Sequence, residues 1–312
     1  MAVYSHSRLA AYETCPMQYR LRYIDLVDVE RRETVESFLG RRVHETLQYL
    51  YDRLAEGALL TEQELLTHLG DAWEREWHDQ VQLVRADAKV ADYRSTAERC
   101  VANYYRANHP FDQGRTVATE MAVVFPLDGE RDVQIKGYID RLVRLAPGFY
   151  EIHDYKTSRR LPTQAEIDRD RQLALYQMAV NRTMPDVRQV RLVWHYLAHG
   201  RRLRSLRTPE ALEQLRCATL ALIDRVEDAG RRDDFPAVRS RLCGWCDYRP
   251  VCPAWNPVQG RLAFPGLDAG GGAGVKDAGA AGGGEGGGSG GDGGPGPGAA
   301  AGSVLTPPGA PD

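Results

Sequence analysis

The feature that most constrains this chain is a change of hydrophobic period near residue 110. Upstream, Glu33–Glu56 places Val35, Phe38, Leu39, Val43, Leu47, Leu50 and Leu54 near helical spacing, with Gly57 as a stop. Thr61–Asp79 and Ala91–Asn108 continue that pattern, the latter closed by Pro110. Downstream, Val117–Leu127, Val133–Leu145 and Phe149–Tyr155 are short and rich in β-branched and aromatic residues. Asp128-Gly129 and Pro147-Gly148 separate them, and both dipeptides form turns, so the spacing predicts an antiparallel meander. Helix returns over Gln164–Thr183. A strand pair follows, Val190–Leu197 and Arg202–Leu206 about His199-Gly200, and then a last helix over Pro209–Ala229. The expected fold class is α/β (α+β): a small mixed sheet flanked by helices, behind an N-terminal helical region.

The end of the chain has a different character. Of the 47 residues from Gly266 to Asp312, 20 are glycine, and such a segment has too few apolar side chains to offset the entropy of ordering. A disordered tail is therefore expected over 266–312, and one domain over 1–265. Within that domain the helical part spans about 1–110, the core about 111–230, and a cysteine module about 240–255. Removing the tail's one basic and five acidic residues from totals of 40 and 43 leaves 39 against 38, near neutrality. That balance excludes a protein that coats nucleic acid by bulk charge, but not one with a local basic groove.

The residues most suggestive of chemistry lie on the expected meander. Gly137-Tyr138-Ile139-Asp140 ends on one strand, and Asp154-Tyr155-Lys156 lies on the next. Asp154 and Lys156 are two apart, so both leave the same face of their strand. Neighbouring strands can thus bring two carboxylates and an ammonium to one sheet edge. Carboxylate oxygens suit Mg²⁺ or Mn²⁺, and a lysine beside them can orient or deprotonate a water and offset charge on a phosphate. Taken alone, an Asp-x-Lys is ordinarily a solvated strand face. Glu120, on the first strand, is either a further ligand or an ordinary exposed residue. Gln172 and Tyr176, four apart, share a helix face.

Several segments, in order, resemble the RecB-like (AddB-like) branch of the PD-(D/E)xK nuclease superfamily. Ser5-His6-Ser7-Arg8-Leu9, Tyr12 and Cys15-Pro16 resemble its opening segment, and Gly40-Arg41-Arg42-Val43-His44 its first motif. Gly137 to Asp140 and Asp154-Tyr155-Lys156-Thr157 resemble the second and third motifs, and Gln172 to Tyr176 the downstream Gln-x-x-x-Tyr. The resemblance spans residues 5–253 and implies a restriction-endonuclease-like core. It implies catalytic Asp140, Asp154, Lys156, Gln172 and Tyr176, and metal held by His44, Asp140, Asp154, the Tyr155 carbonyl and Glu120. The implied activity is a divalent-metal-dependent deoxyribonuclease, an exonuclease on single-stranded DNA or DNA ends in repair or recombination. A nuclease of CRISPR adaptation and a non-catalytic structural DNA-binding subunit are the alternatives.

Three cysteines, Cys243, Cys246 and Cys252, stand close together with no histidine between Ser240 and Pro265. A fourth ligand must be remote, and Cys15 is the candidate. The family resemblance, which extends to CRISPR-associated exonucleases, implies a 4Fe–4S cluster on these four residues, with Zn²⁺ as the competing occupant. Cys100 and Cys217 read as small core residues. Arg41, Arg42, Arg159, Arg160, Arg201, Arg202 and Arg204 are candidate phosphate contacts. Tyr4, Tyr12, Tyr19 and Tyr23 are candidate stacking platforms, although core packing is the commoner fate. No G-x-x-x-x-G-K-[ST] occurs, so the domain either stands alone on DNA, its expected partner, or awaits a helicase, repair or CRISPR protein. The N-terminus lacks a secretory pattern and no run could span a bilayer, which predicts a cytoplasmic protein without a membrane partner.

Overall fold

The structure, a computed structural model, describes residues 2–83 and 87–256, together with the backbone of 276–277. Apart from that backbone pair, the expected tail and the end of the expected 1–265 domain lie outside the described residues. In chain order the elements begin with β1 (Ala2–Tyr4), α1 (His6–Thr14), α2 (Pro16–Tyr23), β2 (Glu33–Thr34), α3 (Val35–Ala55), α4 (Glu62–Glu76) and β3 (Val81–Gln82). There follow α5 (Val90–Asn108), β4 (Arg115–Pro126), β5 (Val133–Ala146), β6 (Phe149–Lys156), α6 (Gln164–Ile167) and α7 (Gln172–Thr183). Next come β7 (Gln189–Tyr196), β8 (Arg201–Leu206) and α8 (Pro209–Arg232), followed by a short strand, Val238–Arg239, and two short helices, Arg241–Trp245 and Arg249–Val251.

The chain forms two compact units. One comprises residues 2–6 and 32–219; the other comprises 7–31 and 220–256. In the first unit α3 starts where Thr34 accepts a hydrogen bond from the Ser37 amide, and α4 starts on a Thr61–Glu64 capping box. The apolar stripe read from the sequence of α3 is buried from Val35 through Leu50 and packs with Leu65, Leu69 and Trp73 of α4 and with Tyr93, Ala97, Cys100 and Val101 of α5.

The first unit is built on one mixed sheet in the order β1-β5-β6-β7-β8, with β4 also paired to β5. β4, β5 and β6 form the expected antiparallel meander. β6 and β7 then run parallel over their full length, the crossover being made by α6 and α7. Along one edge β5 meets β4. Along the other it meets β1 at 133–135 and β6 at 141–146, which leaves the stretch around Gly137–Asp140 without a ladder partner on that side.

The sequence predicts one helix over Gln164–Thr183; the structure has two, α6 and α7. Asp170 Oδ1 accepts the Leu173 amide at 3.1 Å and starts a new helix there. The Arg207 guanidinium takes the Ile167 carbonyl at 2.8 Å, satisfying the end of the first. That arginine lies 40 residues downstream, so the break leaves little trace in the local periodicity. Cys217, expected in the core, is exposed, because α8 buries Leu212, Thr219, Leu222, Ile223, Val226 and Ala229, a stripe that misses it. Cys100 is fully buried as expected.

One buried polar cluster braces the sheet against the helices. Arg141, on β5, is only 5% exposed and is held by hydroxyls. Its guanidinium donates to Tyr104 Oη at 2.7 Å, to Tyr51 Oη, and to Thr116 Oγ1 at 3.1 Å, and lies 3.8 Å from the Tyr51 ring centroid. Tyr104 and Tyr155 hydroxyls are 3.2 Å apart. Hydroxyl dipoles and a ring face thus solvate a buried cation and tie β5 and β6 to α3 and α5. Replacing Arg141 with alanine leaves a cavity and strands these hydroxyls. The expected loss is about 2–4 kcal/mol of unfolding free energy, read as a lower urea midpoint with an unchanged m-value.

Candidate active site

The site forms where β5 and β6 part company. Arg141 pairs with His153, so the register sets Asp140 opposite Asp154; Glu120 falls opposite Asp140 between the Thr119–Arg141 and Met121–Ile139 pairs. Directly opposed residues share a face, which aligns three carboxylates across three strands. Asp140 Oδ2 accepts a hydrogen bond from the Tyr155 amide at 2.7 Å, so a side chain bridges the gap where the ladder stops. Glu120 has φ +44°, in the left-handed region that non-glycine residues rarely adopt, and this departure from strand geometry occurs at the site itself.

α3 brings His44 into the same notch. Its Nε2 donates to the Tyr155 carbonyl at 2.7 Å, since a carbonyl can only accept. In the neutral ring the lone pair is then on Nδ1, which lies 3.5 Å from Asp140 Oδ2 and 4.0 Å from Glu120 Oε1. Among the described residues, His44, Glu120 and Asp140 form a group of ligand atoms all within 4.8 Å of one another. An octahedral Mg²⁺ at about 2.1 Å from each ligand holds adjacent ligand atoms about 3 Å apart and opposite ones about 4.2 Å apart. The two spacings from His44 Nδ1, 3.5 and 4.0 Å, fall in that range, and carboxylate and imidazole donors suit a hard divalent cation.

The electrostatics agree. Burial, followed by the charge of Asp140, pushes the Glu120 carboxyl up to about 7. Burial also raises Asp140, to about 6; His44 opposes that rise and Asp154 adds to it. Like charges gathered in a desolvated notch favour protons or a cation between them.

Asp154 and Lys156 leave the same face of β6, as the alternation requires. Asp154 is not in the tight three-ligand group; its carboxylate is engaged by Lys156. Nζ lies 2.9 Å from Oδ2 and 3.0 Å from Oδ1, with only the latter in hydrogen-bond alignment. Burial would lower the lysine's pKa, but Asp154 outweighs it and holds the ammonium charged. Nζ also donates to Gln172 Oε1 at 3.1 Å, and Gln172 Nε2 lies 3.4 Å from the Tyr176 hydroxyl, the outer limit of a hydrogen bond.

Two motifs that look independent in sequence meet here. A Cβ added to Gly137 would stand 2.3 Å from Tyr176 Cε1, so the glycine exists to let the tyrosine ring lie on the β5 backbone. His6, on the first turn of α1, is a residue whose role the sequence reading missed. Burial, then Arg171 and Lys156, press its pKa down to about 3, leaving a neutral imidazole near the lysine. Asp170, which no motif marks, is pushed up by burial, with Asp154 adding to the rise.

Other expectations fare differently. Arg41 is paired with Glu33, Arg42 is buried and paired with Glu45 at 2.8 Å, and Arg160 is paired with Glu166, so these three are already spoken for by carboxylates. Arg201, Arg202 and Arg204 lie on β8 at the sheet edge. Tyr4 and Tyr19 are core residues, whereas Tyr12 and Tyr23 are half-buried.

In the second unit, Cys15, at the start of α2, and Cys243, Cys246 and Cys252 are free, half-buried thiols lining one small apolar-walled cavity with Met17, Leu21 and Tyr248. Cys15 Sγ accepts the Val238 amide, and Cys243 Sγ the Ser240 amide, each at 3.4 Å. Burial raises Cys246 to about 11, and repulsion from Cys15, Cys252 and Cys243 adds to it.

Residues 3–253 match the family model described as the PD-(D/E)XK nuclease superfamily. The chain belongs to that superfamily: it is a nuclease, of a class that works with divalent metal ions. Among solved structures it is similar to a protein from Eubacterium rectale named "Putative exonuclease", at 15% identity and TM-score 0.46, covering 84% of this chain and 93% of that one. It is also similar to SSO0001, at 15% identity and TM-score 0.32, covering 78% of this chain and 95% of that one. No curated protein matches it. No helix among the described residues is long and apolar enough to cross a membrane.

The raised Glu120 carboxyl has a consequence for stability. Its folded pKa of about 7 exceeds the unfolded 4.5, so its contribution is complete below about 4.5 and is lost as pH rises through 7. In EDTA at pH 8, Glu120→Gln should therefore be more stable than wild type by about 2–3 kcal/mol, with the two converging near pH 4.5. Equal denaturation curves at pH 8 would show that Glu120 carries no such strain.

Proposed function

We propose that this chain is a RecB-like, divalent-metal-dependent deoxyribonuclease, acting as an exonuclease on single-stranded DNA or DNA ends in repair or recombination. The observation that carries the proposal is the convergence of His44, Glu120 and Asp140 at single-ion spacing beside the Asp154–Lys156–Gln172 chain. Mg²⁺ or Mn²⁺ held by these residues would polarise the scissile phosphodiester and acidify a bound water. The Tyr155 carbonyl fixes the His44 ring, and the Tyr155 amide fixes Asp140. Asp154, next in the row of carboxylates and paired with Lys156, would supply a further oxygen ligand to such an ion. Lys156, held by Gln172, is a donor to the attacked phosphate or to the attacking water, where charge builds in the transition state. Gln172 and Tyr176 hold that lysine in place, with Tyr176 seated on Gly137.

The test is digestion of end-labelled single- and double-stranded DNA, with RNA as comparison, in Mg²⁺ or Mn²⁺. Asp140→Asn and Lys156→Ala should each lower kcat by about 10²–10⁴-fold while circular dichroism stays native. Full activity in either variant would overturn the assignment. Preference for RNA would overturn the substrate. Activity that depends on a co-purifying helicase or CRISPR protein would place the chain in that partner's complex.

We further propose that Cys15, Cys243, Cys246 and Cys252 hold a 4Fe–4S cluster. Support comes from their shared cavity and from their spacing. The four thiols line one cavity, and the intervals between the three late cysteines are uneven. Such a cluster would tie the start of α2 to residues 238–252. Anaerobically purified protein should be brown and contain iron, and Cys246→Ser should lose both colour and iron. Colourless protein with stoichiometric zinc would show that zinc is the occupant.

A further inference from the structure

A second polar depression, of about 510 Å³, lies outside the carboxylate notch in the same unit. Three elements build it: Asp92, Ser95, Thr96 and Arg99 from α5, Arg159 from the segment after β6, and Ala198 and His199 from the turn after β7. Two guanidinium groups and two hydroxyls converge there, and among the described residues neither arginine forms an ion pair. The one carboxylate, Asp92, accepts the Lys89 amide at 3.0 Å and caps α5. Both arginines are nevertheless placed. Arg99 donates to Thr96 Oγ1 at 3.3 Å; Arg159 lies 5.8 Å from the Tyr93 ring centroid, and its carbonyl accepts His199 Nε2 at 2.7 Å. Asn103 Nδ2 anchors the turn by donating to the Leu197 carbonyl at 2.9 Å.

Resting on the nuclease reading above, we infer that this depression grips backbone phosphates of the same DNA strand whose scissile phosphate lies at the carboxylate notch. Its chemistry suits a phosphodiester anion: unneutralised arginines in a concave, hydroxyl-lined setting. Its position fits as well. The depression lies beyond the carboxyl ends of β6 and β7, where Lys156 pairs with Tyr196. Parallel strands deliver ligand-binding loops at these ends. Arg159 follows Lys156 by three residues, a reach of at most about 11 Å of chain, and a DNA strand rises about 3.4 Å per nucleotide. The gripped phosphates are therefore only a few nucleotides from the cleaved bond. Arg159 differs in this from Arg41, Arg42 and Arg160, whose charges are spent on Glu33, Glu45 and Glu166.

The full chain with Arg99→Ala and Arg159→Ala, singly and together, tests the inference by two readouts. Fluorescence anisotropy on a labelled single-stranded 20-mer in Ca²⁺ should show the double variant binding at least tenfold more weakly. Its salt slope should fall by about 0.7 for each phosphate no longer neutralised, and Arg99→Lys with Arg159→Lys should recover most of the affinity. In Mg²⁺ or Mn²⁺, kcat/KM on the 20-mer should fall at least fivefold further than on the small ester thymidine 5′-(p-nitrophenyl phosphate), which cannot span both sites. Equal falls on both substrates, or an unchanged salt slope, would overturn the phosphate grip. Wild-type protein that binds the 20-mer through these arginines yet cleaves neither substrate would instead overturn the nuclease reading and leave the grip standing.

Discussion

The hydrogen bond from the Tyr155 amide to Asp140 is the contact on which the rest of the candidate site depends. A sheet whose strands stayed paired would hide Asp140 in a continuous ladder. Here the ladder ends, and a carboxylate takes the place of the missing carbonyl acceptor. That substitution pins Asp140 at the edge of a notch, directs the Tyr155 carbonyl to His44, and leaves the histidine's other nitrogen facing two carboxylates. Burial raises both carboxyls, and the charge of a neighbouring carboxylate adds to each rise, so a proton or a cation between them is favoured.

Holding such a notch open requires rigidity behind it. The face of β6 opposite Asp154 supplies that rigidity through buried polar contacts. Arg141 sits among Tyr51, Tyr104 and Tyr155, and His153 lies 2.8 Å from His195 and 3.1 Å from Glu151. Burial drives both histidines down, His153 to about 4, so they remain neutral hydrogen-bonding spacers at ordinary pH. On the other face, α7 delivers Gln172 to Lys156 and Tyr176 to Gly137. Asp140, Asp154 and Lys156 thus each have a neighbour in sequence, Arg141 or Tyr155, held in the buried layer behind the notch.

Much of this was legible in the sequence because it rests on local periodicity. The stripe of α3, the three meander strands and the alternation that puts Asp154 and Lys156 on one face follow from helical and strand periods alone. The helix break at Asp168–Arg171 did not, because the group that stabilises it, Arg207, is 40 residues away. Cys217 was misread because apolar neighbours in sequence do not reveal the phase of the buried stripe on α8. Arg41 and Arg42 looked like phosphate contacts because sequence shows a charge but not its partner.

By itself, the sequence determined which side chains were available and which strands would present them, since both depend on spacing along the chain. Only the tertiary structure decided that Glu120 joins His44 and Asp140 while Asp154 turns to Lys156, that Gly137 is the seat of Tyr176, and that Arg99 and Arg159 face one depression. Those pairings join residues as far apart in the chain as His44 and Asp140. They are set by sheet register and helix docking, which depend on the packing of the whole unit rather than on any local run of residues.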